Sequence, residues 1–227
     1  MKGRLIIIEG TDASGKSTQL RLLCDKLAAC GQKVKSLSFP RYEKEFSAPV
    51  RMYLNGAFGA APGDVNAYAA STFFAVDRYA SYRSEWREYY EAGGTLIFDR
   101  YTTSNAIHQG AKLPPLEREV FFNWLFDFEY RLLGLPAPDL VLFLDMPPEC
   151  SAALLRARTG KEIDIHEKDA AYRSACYQTA QEASERFRWA RIDCTEGGNI
   201  KSIEQIHAEI LSRIEGCFHV GISTDCD

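Results

Sequence analysis

Residues 10–17 of the chain combine glycines, hydroxyl side chains and a lysine in the order Gly-Thr-Asp-Ala-Ser-Gly-Lys-Ser, the pattern of a phosphate-binding P-loop. Gly10 and Gly15 allow the backbone to curl so that several N–H groups point towards phosphate oxygens. Lys16 adds a mobile cation to the same oxygens, and the hydroxyl of Ser17 is suited to Mg²⁺. The sequence therefore predicts a site for a polyphosphate and its metal ion.

The surroundings of this motif distinguish it from a glycine-rich turn with a surface lysine. An apolar run rich in β-branched residues precedes it at 5–9, and a helical pattern follows at 17–27. A strand, a glycine loop and a helix are the context that a P-loop requires, so we favour the phosphate site.

Polar and charged residues also follow three later runs that have the composition of strands. The second run ends in Phe39-Pro40-Arg41, the third in Asp99-Arg100-Tyr101 and the fourth in Asp145. Because the carboxyl ends of parallel strands lie at one edge of a sheet, we expect these residues beside the P-loop. Arg41 and Arg100 are suited to bidentate binding of a second phosphate, and Asp99 to Mg²⁺ or to an ion pair with Arg100. Each residue by itself would also fit an ordinary polar turn.

A long helical pattern carries Phe74 and Arg78 four residues apart, and therefore on one face. Phe74 is suited to stacking on a flat base, and Arg78 to donating to a carbonyl of that base. The alternative is that Phe74 belongs to the core and that Arg78 is a solvated surface cation.

A third group of cations lies at 155–161, where Arg156 and Arg158 are followed by a glycine, a lysine and an acidic stretch. Such a segment is suited to closing over a nucleotide as a lid, which would bring both arginines to a transferring phosphoryl group and exclude water. The alternative is a solvated helix end, where the helix dipole favours cations.

These candidate residues need a scaffold in which short apolar strands alternate with longer helices. We predict strands at 5–9, 34–39, 95–99, 140–145 and 189–193, and helices at 15–29, 47–55, 65–91, 115–133, 148–158, 167–186 and 201–214. Asp64 is the predicted N-cap of the helix at 65–91. This alternation predicts an α/β fold with a doubly wound parallel sheet and ligands at the carboxyl ends of its strands. We expect one domain at 1–215, with the lid near 156–168, and a tail at 216–227.

Composition excludes several other classes of protein. The net charge of −4 over 227 residues gives no basic field for nucleic acid or a membrane surface. Seven scattered cysteines fit reduced thiols better than a disulfide framework or a zinc site. The first apolar run ends at Glu9 and no later run is long enough to span a bilayer, so we expect a cytoplasmic protein with no signal peptide and no membrane partner.

Together these motifs resemble the thymidylate kinases, a family of nucleoside-monophosphate kinases among the P-loop NTPases. The resemblance covers most of residues 4–215 and rests on the P-loop, Phe39-Pro40-Arg41, Phe74-x-x-x-Arg78, the arginine-rich segment, and Asp99-Arg100-Tyr101 with its downstream polar residues. It implies a five-stranded parallel sheet and transfer of the γ-phosphoryl group from ATP, bound with Mg²⁺, to dTMP. It also implies a homodimer, since members of the family are commonly dimeric.

The resemblance assigns a role to each candidate residue. It implies ATP contacts from Gly10, Thr11, Asp12, Ala13, Ser14, Gly15, Lys16, Ser17 and Thr18. It implies substrate contacts from Asp12, Phe39, Pro40, Arg41, Leu54, Phe74, Arg78, Asp99, Arg100, Ser104, Asn105 and Gln109. Catalytic roles fall to Asp12, Lys16, Arg100, Arg156 and Arg158, and metal binding to Ser17 and Asp99. In this scheme Phe74 stacks on thymine and Arg78 donates to its O4, whereas cytosine presents an amino group there.

The chain departs from the family pattern at two positions. Some members have an arginine directly after the P-loop aspartate, where this chain has Ala13, so the catalytic cation must come from Arg156 or Arg158, as in bacterial members. Many relatives also have an arginine in the lid where this chain has Ile165.

Two other functions stay open at this point. A deoxynucleoside kinase would need a carboxylate after the second strand to deprotonate a sugar hydroxyl, and Glu43 and Glu45 lie nearby. A P-loop regulator without kinase activity would also bind a nucleotide, although the N-K-x-D motif of a GTPase is absent from the sequence.

Overall fold

The sheet has the parallel order that the alternating pattern predicts. The computed structural model describes residues 2–157 and 169–218. Its main sheet contains β1 (Arg4–Glu9), β2 (Val34–Ser38), β3 (Thr95–Asp99), β4 (Leu140–Asp145) and β5 (Ala190–Asp193). The strand order is β2-β3-β1-β4-β5, and every neighbouring pair is parallel. This confirms the predicted five-stranded, doubly wound α/β sheet. A short antiparallel pair, β6 (Thr195–Glu196) and β7 (Asn199–Ile200), follows it.

Helices cover both faces of this sheet. They are α1 (Lys16–Ala29), α2 (Ala48–Leu54), α3 (Ala67–Ser81), α4 (Arg87–Glu91), α5 (Thr102–Gly110), α6 (Pro115–Phe126), α7 (Pro148–Ala157), α8 (Ala170–Arg186) and α9 (Ile203–Phe218). Among the described residues, none of these helices is both long and apolar enough to cross a membrane.

The core consists of two layers because successive side chains of a strand point to opposite faces. Ile6 and Ile8 of β1 pack in the layer that includes α1 and α9. Leu5 and Ile7 pack in the opposite layer with Trp86, beyond the end of α3. All four β1 side chains are at most 1% exposed, so the strand that leads into the P-loop is held rigidly on both sides.

Two of the helices contain a wider, π-helical turn, which the sequence did not predict. The first, at Tyr82–Trp86, joins α3 to α4 within the helix predicted at 65–91. The second, at Asp127–Leu132, extends α6 within the helix predicted at 115–133. Turns of this kind are rare and often lie at functional sites, and both of these carry a glutamate that pairs with an arginine predicted to bind substrate.

Helix α5 was not predicted from the sequence. Its first residues, Thr102, Thr103, Ser104 and Asn105, are poor helix formers, so intrinsic propensity gave no indication of a helix. All residues of α5 except His108 are buried, and α5 packs against α3, α6 and α8. Tertiary packing therefore stabilises this helix.

Two predicted boundaries also differ from the structure. The predicted N-cap Asp64 is wrong: Asn66 caps α3 by accepting from the Ala69 N–H at 2.8 Å, whereas Asp64 accepts from the Ala61 N–H at 2.9 Å. Helix α9 continues to Phe218, past the predicted start of the tail, because Phe218 packs against the core beside α1 and α9.

Candidate active site

A cavity of about 350 Å³ lies where the carboxyl ends of β1, β2 and β3 meet. Its walls include the predicted substrate residues Asp12, Phe39, Pro40, Leu54, Phe74, Arg78, Asp99, Arg100, Ser104, Asn105 and Gln109. Ala13, Lys16 and Ser17 of the P-loop also line it. The structure thus brings together residues from separate segments, at the strand ends where the fold predicts a ligand site.

The P-loop has the tightly curled backbone that its glycines permit. Gly15 has a φ of 89° and Gly10 a φ of 156°, and a Cβ at Gly10 would lie 2.6 Å from the Ser14 Oγ. Ala13 also takes a positive φ, 60°, which few residues with a Cβ adopt. The loop is therefore built for close backbone approach to an anion at the start of α1. Thr11 and Thr18 belong to the same segment but do not line the main cavity.

Lys16 is folded back onto this loop. Its Nζ donates to the carbonyls of Thr11 at 2.8 Å and Gly10 at 3.0 Å. Burial, and then the positive charge of Arg100, lower the pKa of Lys16 to about 8, although Asp99 and Asp12 partly oppose the shift. A bound polyphosphate would supply the negative charge that this buried ammonium lacks.

Arg100 lies at the centre of the site and bonds in three directions. It pairs with Asp12 at 2.5 Å, donates to the Ser104 Oγ at 3.0 Å and lies 2.9 Å from the His108 Nε2. Its backbone φ of 68° turns the chain sharply between β3 and α5. Burial alone would lower the pKa of Arg100, but the charges of Asp12 and Glu9 hold it above its ordinary value. Arg100 is thus a permanent cation held beside the P-loop.

Glu9, which was not predicted as a site residue, organises the start of α5. Its fully buried carboxylate accepts from the hydroxyls of Thr103 at 2.7 Å and Ser104 at 2.9 Å, and it lies 3.7 Å from Arg100. The sequence did contain an indication of this role, because Glu9 is an acidic residue at the end of an otherwise apolar run. Its bonds fix the P-loop strand against the helix that carries Ser104, Asn105 and Gln109.

Arg78 is buried and paired rather than solvated. Its Nε donates to Glu129 Oε2 at 2.7 Å and its Nη2 donates to Glu129 Oε1 at 2.5 Å. Arg78 is 2% exposed, and Glu129 is fully buried. Burial would lower the pKa of Arg78, but the charge and hydrogen bonds of Glu129 raise it. The surface-cation alternative for Arg78 is therefore wrong.

Arg41 is the predicted substrate residue that the structure does not place in the cavity wall. Its guanidinium donates to Glu85 at 2.9 and 3.1 Å and also lies 3.0 Å from Glu43. Glu85 lies in the first π turn. Tyr42, the residue after Arg41 in the chain, lines the cavity, whereas Arg41 does not. A phosphate contact from Arg41 stays a prediction, because it requires this guanidinium to turn away from two carboxylates.

The far end of the cavity combines apolar and polar walls. Phe74 and Leu54 lie in one wall, with the Phe74 ring at 6.1 Å and nearly perpendicular to Tyr53. Gln109 is fully buried, and neither its oxygen nor its nitrogen has a hydrogen-bond partner among the described residues. Asn105 is also buried and donates to the Ser71 carbonyl at 3.2 Å. A buried amide without a partner at a cavity wall is a ready donor and acceptor for a polar ligand.

The residues predicted to bind Mg²⁺ suit that ion. Ser17 and Asp99 both line the cavity, and the buried Asp99 Oδ1 has no hydrogen-bond partner in the described part of the chain. Mg²⁺ in nucleotide sites needs one or two oxygen ligands from the protein and takes the rest from phosphates and water. A hydroxyl and an available carboxylate oxygen beside the P-loop therefore fit the metal, with Asp99 acting directly or through water.

Other predictions fall outside the cavity or outside the described residues. Arg158 and most of the predicted lid lie outside the described residues, and for Arg156 the structure describes only its place on α7. Asp145, at the end of β4, accepts from the Gln181 Nε2 at 2.8 Å and pairs with Arg191, away from the cavity wall.

The parallel sheet, the P-loop and the facing polar cavity define a P-loop nucleotide-binding protein with room for a second ligand beside the phosphate loop. The thymidylate kinase family model matches residues 8–210. The chain belongs to the thymidylate kinase family.

Individual relatives support this assignment. The thymidylate kinase of Mycobacterium tuberculosis is 33% identical over 171 residues, covering 73% of this chain and 78% of that protein. The human thymidylate kinase is 30% identical over 211 residues, covering 92% and 88%. The solved structure of the thymidylate kinase from Candida albicans superposes with a TM-score of 0.71 at 25% identity, covering 95% of this chain and 92% of that one.

Proposed function

We propose that the chain transfers the γ-phosphoryl group of ATP to dTMP, giving dTDP and ADP. The observation that carries the proposal is that one cavity is lined both by the P-loop lysine and Arg100 and by Phe74, Arg78 and Gln109. Membership of the thymidylate kinase family supports this choice of acceptor.

The reaction is an in-line displacement in which the protein positions and neutralises charge. An oxygen of the dTMP phosphate attacks the γ-phosphorus of ATP, and the bond from that phosphorus to the β-phosphate oxygen breaks, releasing ADP. The attacking phosphate is already an anion near neutral pH, so no side chain has to remove a proton. Ser17 and Asp99 would hold Mg²⁺, which would supply positive charge to the phosphates of bound ATP.

We propose the following roles for individual residues. Lys16 and the P-loop N–H groups hold the ATP phosphates, and Arg100 holds the acceptor phosphate beside them. Asp12 fixes Arg100 and faces the sugar. Phe74 stacks on thymine while Arg78 donates to its O4. Arg156 and Arg158, on the proposed lid, supply the cation that Ala13 cannot.

The deoxynucleoside kinase alternative is less well supported. A general base for a sugar hydroxyl would have to reach the cavity from the segment after β2. Neither Glu43 nor Glu45 lines the cavity, and Glu43 is paired with Arg41 at 3.0 Å.

A coupled ATP assay across dTMP, dUMP, dCMP, AMP, GMP and thymidine tests the proposal. We expect dTMP to be preferred and thymidine to be inactive. Preference for another monophosphate would overturn the thymine assignment, turnover of thymidine would favour the deoxynucleoside kinase, and ATP consumption without any acceptor would favour a regulator.

We also propose that the chain forms a homodimer through α3 and α6. Tyr68, Val76 and Tyr79 are 38, 52 and 39% exposed along one face of α3. Val120 of α6 is 63% exposed, and the Tyr68 ring lies 4.7 Å from that of Trp124, so the two helices form one apolar surface. Light scattering should give twice the monomer mass, and Val76→Asp should shift it towards the monomer; a wild-type monomer would refute this.

A further inference from the structure

Glu129 is a buried carboxylate without a role in the proposed reaction so far. It lies in the π turn at Asp127–Leu132 and is fully buried. Both of its oxygens accept hydrogen bonds from Arg78, and Oε2 also accepts from the Thr102 Oγ1 at 2.8 Å. A buried charge with this many directed bonds has a defined position and orientation.

The geometry of the pair determines which donors of Arg78 remain for a ligand. A guanidinium is planar and rigid, so fixing one edge fixes the direction of its other N–H groups. Glu129 takes the edge formed by Nε and Nη2, and Nη1 lies 3.4 Å from the Tyr101 carbonyl. Arg78 lines the cavity whereas Glu129 does not, so the guanidinium stands between the carboxylate and the ligand space.

The same carboxylate connects the two halves of the acceptor site. Thr102 begins α5 and follows directly after Arg100 and Tyr101, which line the cavity near the P-loop. Arg78 lies on α3, at the base end of the cavity. The bonds of Glu129 therefore fix the distance between the base-contacting helix and the phosphate-contacting turn.

We propose that Glu129 is a positioning residue that determines base specificity, because it holds Arg78 with its remaining donors towards the C4 substituent of the pyrimidine. A C4 carbonyl accepts from these donors, whereas a C4 amino group opposes them and leaves both partners buried without a bond. The inference rests on the proposed function and names the residue that makes Arg78 selective.

The variant Glu129→Gln tests this with the shape of the side chain retained. In the amide, an N–H₂ group replaces one of the two oxygens that accept hydrogen bonds from Arg78. One of these bonds is therefore lost, and Arg78 also loses its counter-charge. We expect the ratio of kcat/KM for dTMP over dCMP to fall by about tenfold or more, and the KM for dTMP to rise by a similar factor. The kcat at saturating dTMP and the KM for ATP should change by less than about threefold, since the P-loop is not touched.

Asp127→Asn is the matched control. It makes the same carboxylate-to-amide change two residues earlier in the same π turn, at an exposed side chain that pairs with Arg131 on the surface. We expect the dTMP to dCMP ratio of this variant to equal that of the wild type. A fall equal to that of Glu129→Gln would show a general disturbance of the turn and would overturn the inference.

A second variant keeps the inference testable if Glu129→Gln fails to fold. Thr102→Val removes the hydroxyl bond to Glu129 Oε2 without changing charge, and it should lower the dTMP to dCMP ratio by a smaller factor, about threefold. A wild-type enzyme that ignores dTMP would refute the proposed function itself. If the wild type prefers dTMP and this preference is unchanged in Glu129→Gln, only the role of Glu129 is refuted. If Glu129→Gln does not fold, an unchanged preference in Thr102→Val refutes that role in the same way.

Discussion

Lys16→Met should slow the reaction strongly and stabilise the folded protein at the same time. Lys16 is 7% exposed and holds its ammonium against the carbonyls of Gly10 and Thr11. Methionine keeps an unbranched chain of similar length but removes the charge. Because the buried charge is favourable only when phosphates are present, the free protein and the reaction should respond in opposite directions.

The size of the stability effect follows from the pKa of this lysine. Burial, with the charge of Arg100, lowers it from 10.5 to about 8, which corresponds to a cost of about 3 kcal/mol for the charged form in the free protein. The variant also loses the hydrogen bonds of the ammonium, each of which contributes about 1 kcal/mol to stability. We therefore expect the variant to be about 1 kcal/mol more stable than the wild type. For a domain of this size that raises Tm by about 3 °C. The rate should fall on the order of 10²–10³-fold, as for loss of one transition-state donor.

The difference in stability between the wild type and Lys16→Met depends on pH in a defined direction. Between about pH 8 and 10.5 the unfolded wild type binds more protons at this lysine than the folded protein, so wild-type stability rises with pH in this window. The advantage of Lys16→Met should therefore be complete below about pH 8 and disappear towards pH 10.5. For the same reason, kcat/KM for ATP of the wild type should fall above about pH 8, where the free enzyme carries a neutral amine.

Thermal denaturation at several pH values and steady-state kinetics with varied ATP measure both effects. Lys26→Met, at a partly exposed lysine of the same helix, is the control and should change neither quantity appreciably. A Lys16→Met enzyme with near-normal turnover would refute the assigned role of Lys16. A variant less stable than the wild type at about pH 7 would refute the argument that the ammonium is strained in the free site.

Three further changes probe other parts of the site. Arg78→Met leaves Glu129 buried without its counter-charge, so denaturant unfolding should show a free energy of unfolding lower by about 3–5 kcal/mol. The preference for dTMP over dCMP should also disappear, and a fully stable variant would contradict the buried pair. Asp99→Asn should raise the Mg²⁺ concentration needed for half-maximal rate by about tenfold with little change in KM for dTMP, and an unchanged Mg²⁺ titration would remove Asp99 from the metal site. Burial opposes the shift, but hydrogen bonds from Arg41, Ser81 and Lys44 lower the pKa of Glu85 to about 2. The ionised Glu85 with these partners therefore stabilises the protein above about pH 4.5, and this stabilisation is lost as the pH falls towards 2. Glu85→Gln should flatten that acid limb in pH-dependent denaturation, whereas an unchanged limb would mean that the pair contributes nothing.

The sequence predicted those parts of the molecule that depend on local pattern. All five predicted strands are present in the main sheet. The central strands β1, β3 and β4 are apolar runs because a buried parallel strand has an apolar composition, whereas the edge strands β2 and β5 are mixed in composition. The convergence of strand ends then predicted that Phe39, Asp99 and the P-loop would share one cavity, although they lie far apart in the chain.

The parts that were missed depend on contacts between distant residues. Arg78 and Glu129 are 51 positions apart, and no periodicity relates them. The segment of α6 and its extension also contains Glu117, Glu119 and Asp127, so nothing in the sequence singles out Glu129 as the buried partner. Helix α5 is also determined by its neighbours, because its own residues disfavour a helix.

The two π turns have an evolutionary consequence. Each residue of an α-helix advances the side-chain direction by about 100°, so one inserted residue would rotate everything after it unless a wider turn absorbs the change. The turns at Tyr82–Trp86 and Asp127–Leu132 carry the partners of Arg41 and Arg78. A one-residue deletion in either turn would therefore rotate its glutamate away from its arginine while leaving both arginines in place. Alignments of relatives should show single-residue gaps in these two turns where the glutamates are absent.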